Sequence, residues 1–220
     1  MKKLLISAAA AAAALVGAAQ AAPIYADNII WTNNGTVGSS NDRDNPDNGL
    51  GAPDDDFFAL GLTDADGSNP GFAVFSFNGG QEFAAGTATA YEVTFGCPDS
   101  TTGSCSYPES AKVYYGTADI DFSSITNAMD FDTLAANNAD FGYADEIFNG
   151  DAQTGASVMI NAPFSYLVLV DSSVSNFPNG PSTDGFDVDA VGVNAVPVPG
   201  AALLMGSGLI AAAARRRRSK

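Results

Sequence analysis

The sequence predicts an all-β chain, a jelly-roll-like antiparallel β-sandwich, and three observations lead there. Short segments rich in Val, Ile, Tyr and Phe recur between clusters of Gly, Asn, Asp and Pro. Eight of them fall between residues 22 and 195, a number that suits a sandwich. Between those residues no stretch sustains helical periodicity. In order, the expected strands are IYADNIIW (24–31), FFALGL (57–62), GFAVFSF (71–77), TAYEVTF (89–95), AKVYY (111–115), ASVMI (156–160), FSYLVLV (164–170) and FDVDAVGV (186–193). In the seventh, Phe164, Tyr166, Val168 and Val170 share one face and Leu167 and Leu169 the other, so both sides are expected to be buried. In the eighth, Phe186 and Val188 point one way and Asp187 and Asp189 the other, which predicts one wet, charged face. Residues 130–155 mix Ala and Asn with aromatics and predict either a short helix or a long loop.

The two ends read differently. Lys2 and Lys3, an Ala/Leu/Ile/Val run and then Ala19-Gln20-Ala21 have the layout of a secretory signal peptide. Residues 1–21 are therefore expected to form an apolar helix cut after Ala21, leaving 22–195 as one exported domain. At the other end, residues 196–220 hold Val196-Pro197-Val198-Pro199, an apolar run and Arg215, Arg216, Arg217 and Arg218. Val196 to Ala214 spans about 28 Å as a helix, against a hydrocarbon core of about 30 Å. With six alanines and three glycines in it, the run suits a transient anchor better than a permanent one. The arginines belong on the cytoplasmic side, which leaves the domain outside. The prolines hold the chain extended at the membrane surface, where a protease can grip it. A tail anchor that stays in place is the competing reading.

Between the ends only Arg43 and Lys112 are basic, against 25 carboxylates, a net charge near −23. That field repels nucleic acid and anionic lipid, so neither is expected as a partner. It attracts divalent cations. The 21 aspartates against four glutamates suit turns and oxygen-rich calcium loops. The chain has no histidine, which removes Ser-His and Cys-His nucleophiles and histidine-ligated zinc. Cys97 and Cys105 bracket PDSTTGS and, in an oxidising compartment, are expected to form a loop-closing disulfide worth about 2 to 3 kcal/mol.

Two groups of aspartates are candidate ligands for a structural calcium ion. Asp42, Asp44 and Asp47 crowd one turn before Gly49, without the bidentate glutamate of an EF-hand. Asp184, Asp187 and Asp189 flank or lie on the last strand, where mutual repulsion favours a cation. Asp54 to Asp56 and Asp64 to Asp66 read as solvated turns. Trp31, Tyr114 and Tyr143 could stack on sugar faces, although packing within strands is the more ordinary use of such rings. Carboxylate-based glycoside cleavage is the one hydrolytic chemistry the composition allows, and no pair of acids stands out for it. The expectation is a non-enzyme.

The segments LGAPDDDFFALGL, GFAVFSFNG, AYEVTFG, PESAKVYYG and the closing YLVLVD and DGFDVDAVGV together resemble exported jelly-roll domains similar to galactose-binding or discoidin-like modules. The landmarks are Gly51 to Asp54, Tyr91 to Val93 and Gly185 to Val191. The tail resembles the VPLPA variant of the PEP-CTERM sorting signal, with Gly200 after Pro199 where that variant has alanine. The resemblance implies cleavage by an exosortase-type membrane peptidase and a surface or matrix location. It also implies a partnership with extracellular polysaccharide. A structural surface protein without a defined ligand is the alternative.

Overall fold

The computed structural model describes residues 22–35, 37–93, 106–152, 154–180 and 182–195. The signal segment 1–21, the Cys97–Cys105 pair and the tail 196–220 lie outside the described residues. Among the described residues no helix is long and apolar enough to cross a membrane.

The described residues form an antiparallel β-sandwich of two five-stranded sheets. The first sheet contains β1 (Ile24–Tyr25), β10 (Asp187–Asn194), β5 (Gly86–Glu92) and β8 (Ala156–Ile160) in that order, with β3 (Phe58–Ala59) also paired to β10. The second runs β2 (Asn28–Asn33), β4 (Phe72–Ser76), β9 (Tyr166–Asp171), β6 (Ser110–Gly116) and β7 (Phe141–Phe148). All eight expected segments contribute strand, although the first is split into β1 and β2 and the second supplies only the two residues of β3. The weakly patterned stretch becomes the helix α1 (Met129–Asn137), the edge strand β7 and the single turn α2 (Asn149–Ala152). A last short helix, α3 (Ser173–Asn176), follows β9.

The main core lies between the sheets. Ala73 and Phe75 of β4 and Leu167 and Leu169 of β9 face Ala88 and Ala90 of β5 and Val188, Val191 and Val193 of β10. The second sheet is covered on its outer side too. There α1 sets Phe131 against Phe72, edge to face with centroids 4.9 Å apart, within a cluster that includes Tyr114, Phe141, Tyr166 and Val168. This second layer is why every residue of β9 is buried, as its pattern predicts.

The last strand departs from expectation. The wet, charged face assigned to Asp187 and Asp189 does not exist: the two are only 4% and 5% exposed. β10 has partners on both sides, and loop segments cover its outer face. One of them docks the Asp54 amide on Asp189 Oδ1 at 3.0 Å. A bulge between Val188 and Ala190 inserts an extra residue into the pleat, so Asp187 and Asp189 serve different surroundings.

Candidate metal centre

A strand's side chains alternate between faces, and two glutamates inherit inward positions from that rule. Glu92 closes β5 on the face that carries Ala88 and Ala90. Glu109, immediately before β6, sits on the face of Ala111 and Val113. All four small residues belong to the inter-sheet core. The two carboxylates thus meet from opposite sheets at one end of that core. Asp187, the first residue of β10, joins them, and ligand atoms of the three lie within 4.8 Å of one another. Each of the three residues is 4% exposed.

The approach to Asp187 depends on one glycine. Gly185 has φ +79°, and a Cβ there would lie 2.7 Å from the Gly61 carbonyl and 2.8 Å from Asp171 Oδ1. Only glycine turns the chain this tightly into β10. The loop is then held by the Leu60 amide donating to the Phe186 carbonyl at 3.0 Å and the Gly61 amide to the Asp184 carbonyl at 2.8 Å.

Three carboxylates are brought together here with few donors. Glu109 Oε1 accepts from the Ser182 hydroxyl at 2.8 Å. Both oxygens of Glu92 and Oδ1 of Asp187 are buried without a hydrogen-bond partner. The nearby Arg43 guanidinium is engaged elsewhere. It pairs with Asp184, donates to the Ser40 carbonyl at 2.9 Å and stacks over the Phe57 ring at 5.6 Å. Burial raises the proton affinity of all three acids, most strongly at the two glutamates. The charges of Glu109 and Asp187 add to the effect at Glu92, that of Asp187 adds at Glu109, and Asp184 adds at Asp187, where Arg43 opposes it.

Outside this cluster lies a cavity of about 280 Å³. Glu109, Asp184 and Asp187 form its floor, and Asn41, Arg43, Thr183 and Tyr107 its walls. Tyr107 is 48% exposed, and its backbone carbonyl is fixed by the Asn149 side-chain amide at 2.7 Å. Glu92 is behind the floor and does not line the cavity.

Of the six aspartates singled out from the sequence, the structure brings only Asp187 into this group. Asp184 pairs with Arg43, and Asp189 accepts from the Asp54 amide. Asp42, Asp44 and Asp47 are exposed, in a turn organised by Asn45, whose side chain donates to Asp42 Oδ2 and accepts from the Asp47 amide. Among the described residues no second group of three acids converges as Glu92, Glu109 and Asp187 do. Asp64 and Asp66 are tied to the Ser68 hydroxyl in an exposed turn, as expected. Tyr114 is fully buried and donates to Asp132 at 2.7 Å, which removes it as a sugar platform. Trp31 and Tyr143 are 40% and 44% exposed.

Sequence reasoning missed Glu92 and Glu109. The signal was parity: each is a charged residue at a position that its strand's own pattern assigns to the core.

No family model matches the chain, and no curated protein sequence matches it. Among solved structures it is similar to CBM32-3 from a family 31 glycoside hydrolase of Clostridium perfringens. There the TM-score is 0.43 and the identity 9%, over 76% of this chain and 90% of that one. It is also similar to the C-terminal domain of a chitobiase from Bacteroides fragilis, with a TM-score of 0.33 and 8% identity over 59% of this chain and 65% of that one.

Proposed function

We propose that residues 22–195 are a non-catalytic, exported binding domain that holds a neutral polysaccharide unit in the cavity beside Tyr107. The observation that carries this reading is the cavity wall itself. An exposed tyrosine on a fixed backbone lines it together with Asn41 and Thr183, a combination that can pack on the C–H face of a sugar while hydrogen-bonding its hydroxyls. Arg43 is spent on Asp184 and Ser40, so among the described residues no basic side chain of the cavity is left for an acidic sugar, and the domain's negative field repels one. Electrophoresis of the full chain through gels cast with dextran, galactan or mannan tests the reading. Retardation by at least one of them is expected, reduced at least tenfold in affinity by Tyr107→Ala at unchanged melting temperature. Mobility unchanged in every gel, together with self-association, would make the domain a structural coat component instead.

The ends of the chain support an exported setting. Residues 1–21 direct secretion, and the tail inserts transiently until an exosortase-type peptidase cuts near Val196-Pro197-Val198-Pro199. Intact mass of the protein recovered from its native producer checks this. Loss of both ends is expected, whereas a membrane-bound species retaining Arg215 to Arg218 would identify a permanent tail anchor.

A further inference from the structure

We propose that Glu92, Glu109 and Asp187 bind one calcium ion, which ties the two sheets together at the floor of the cavity.

Three carboxylates within 4.8 Å of one another and 4% exposed cannot all remain charged without a counter-charge, because each unpaired buried ion costs several kcal/mol. Among the described residues the two basic side chains are already paired. Arg43 is bound to Asp184, and Lys112, the other basic residue of the domain, pairs with Asp132 at 3.0 Å. Glu92 is the decisive residue. It is buried, neither of its oxygens meets a donor, and its carboxylate points into the cluster with the other two. Two solutions remain: shared protons or a metal ion.

The donor set selects the ion. It holds only carboxylate oxygen, with no histidine in the chain, so it suits a hard cation and not zinc or copper. Magnesium demands near-ideal octahedral geometry and keeps several waters, whereas calcium accepts irregular sets of six to eight oxygens. The three carboxylates offer six oxygens at most, and only if each binds through both of its oxygens; Glu109 Oε1 also accepts from the Ser182 hydroxyl. The shell is therefore short of calcium's requirement from the protein alone, and the remaining positions open toward the cavity, which Glu109 and Asp187 line. Water, or a hydroxyl of whatever occupies the cavity, completes it. The ligands come from β5, β10 and the start of β6, so the ion joins strands of both sheets.

The test is thermal melting and calorimetric titration of the full chain at neutral pH, in chelator, calcium or magnesium. One equivalent of calcium is expected to bind and, at about a hundred times its Kd, to raise the melting temperature by roughly 5–10 °C. Magnesium should do distinctly less. Glu92→Gln should abolish the calcium shift, because it removes the carboxylate whose oxygens meet no other donor. Asp187→Asn should weaken calcium binding at least tenfold. A triple Asp42→Asn, Asp44→Asn, Asp47→Asn variant should keep the full shift. Identical melting in calcium and chelator would overturn the proposal and leave shared protons as the answer. A shift lost in the triple variant but kept in Glu92→Gln would overturn it by moving the site to the 42–47 turn. Neither result depends on polysaccharide binding, so the two proposals stand or fall separately.

Discussion

Asp171 shows how a single buried acid can be satisfied where the three at the cavity floor are not. It ends β9 at 2% exposure and is surrounded by donors. The Thr63 amide reaches its Oδ2 at 3.0 Å, while the Ser173 hydroxyl and the Phe186 amide reach Oδ1 at 2.6 and 3.2 Å. Burial nonetheless outweighs these bonds and pushes its carboxyl up to about 6. A native acid with a raised pKa binds its proton where the unfolded chain has already lost it. The stability this group contributes is thus fully present below about pH 4 and is lost as pH rises through about 6, up to about 3 kcal/mol in all. Asp171→Asn has no proton to lose. The advantage of wild type over Asp171→Asn in denaturant unfolding should therefore be largest near pH 4 and shrink toward pH 7. A difference that grows over that interval would contradict the assignment. The contrast with Glu92 is chemical: Asp171 is held by donors that the fold supplies, and Glu92 has none.

At the scale of elements, what the sequence made legible follows from how local each determinant is. β4, β6, β8 and β9 are rich in Val, Phe, Tyr and Ile, and their alternation places them without reference to any partner. β7, FGYADEIF, carries Gly, Ala, Asp and Glu at half its positions, and its exposed residues reflect an edge strand whose identity comes from pairing with β6. Such pairing is not written in β7 alone. The stretch before it needed tertiary information in the same way: α1 exists as a lid, since Phe131 is fully buried against Phe72 and Tyr114 while the rest of the helix is largely exposed. The bulge in β10 had no local signal, and it separates Asp187 from Asp189 despite their period-two spacing. For the site, one ligand of three was readable, because Asp187 stands in an acidic run that draws attention. Glu92 and Glu109 lie 17 residues apart in sequence, on different sheets, and only the closed sandwich makes them neighbours.

Over the whole molecule the net charge near −23 between residues 22 and 195 imposes a self-repulsion that folding must overcome, since the compact state brings like charges closer. Only two ion pairs oppose it among the described residues, Arg43 with Asp184 and Lys112 with Asp132. Repulsion of this kind is diffuse and acts through solvent, so it is screened by any salt. The Debye length falls from about 30 Å at 0.01 M to about 3 Å at 1 M. The cluster at the cavity floor behaves otherwise, because its charges are buried and bulk ions cannot enter between them. In chelator, the melting temperature should thus climb gradually by several degrees as potassium chloride is raised from about 0.01 M to about 1 M, without saturating at any stoichiometry. Calcium added at high potassium chloride should still give its separate, saturable increment. A melting temperature that is flat or falls with potassium chloride would mean that the acidic surface is spaced widely enough to impose no strain on folding. The acidity would then serve solubility alone.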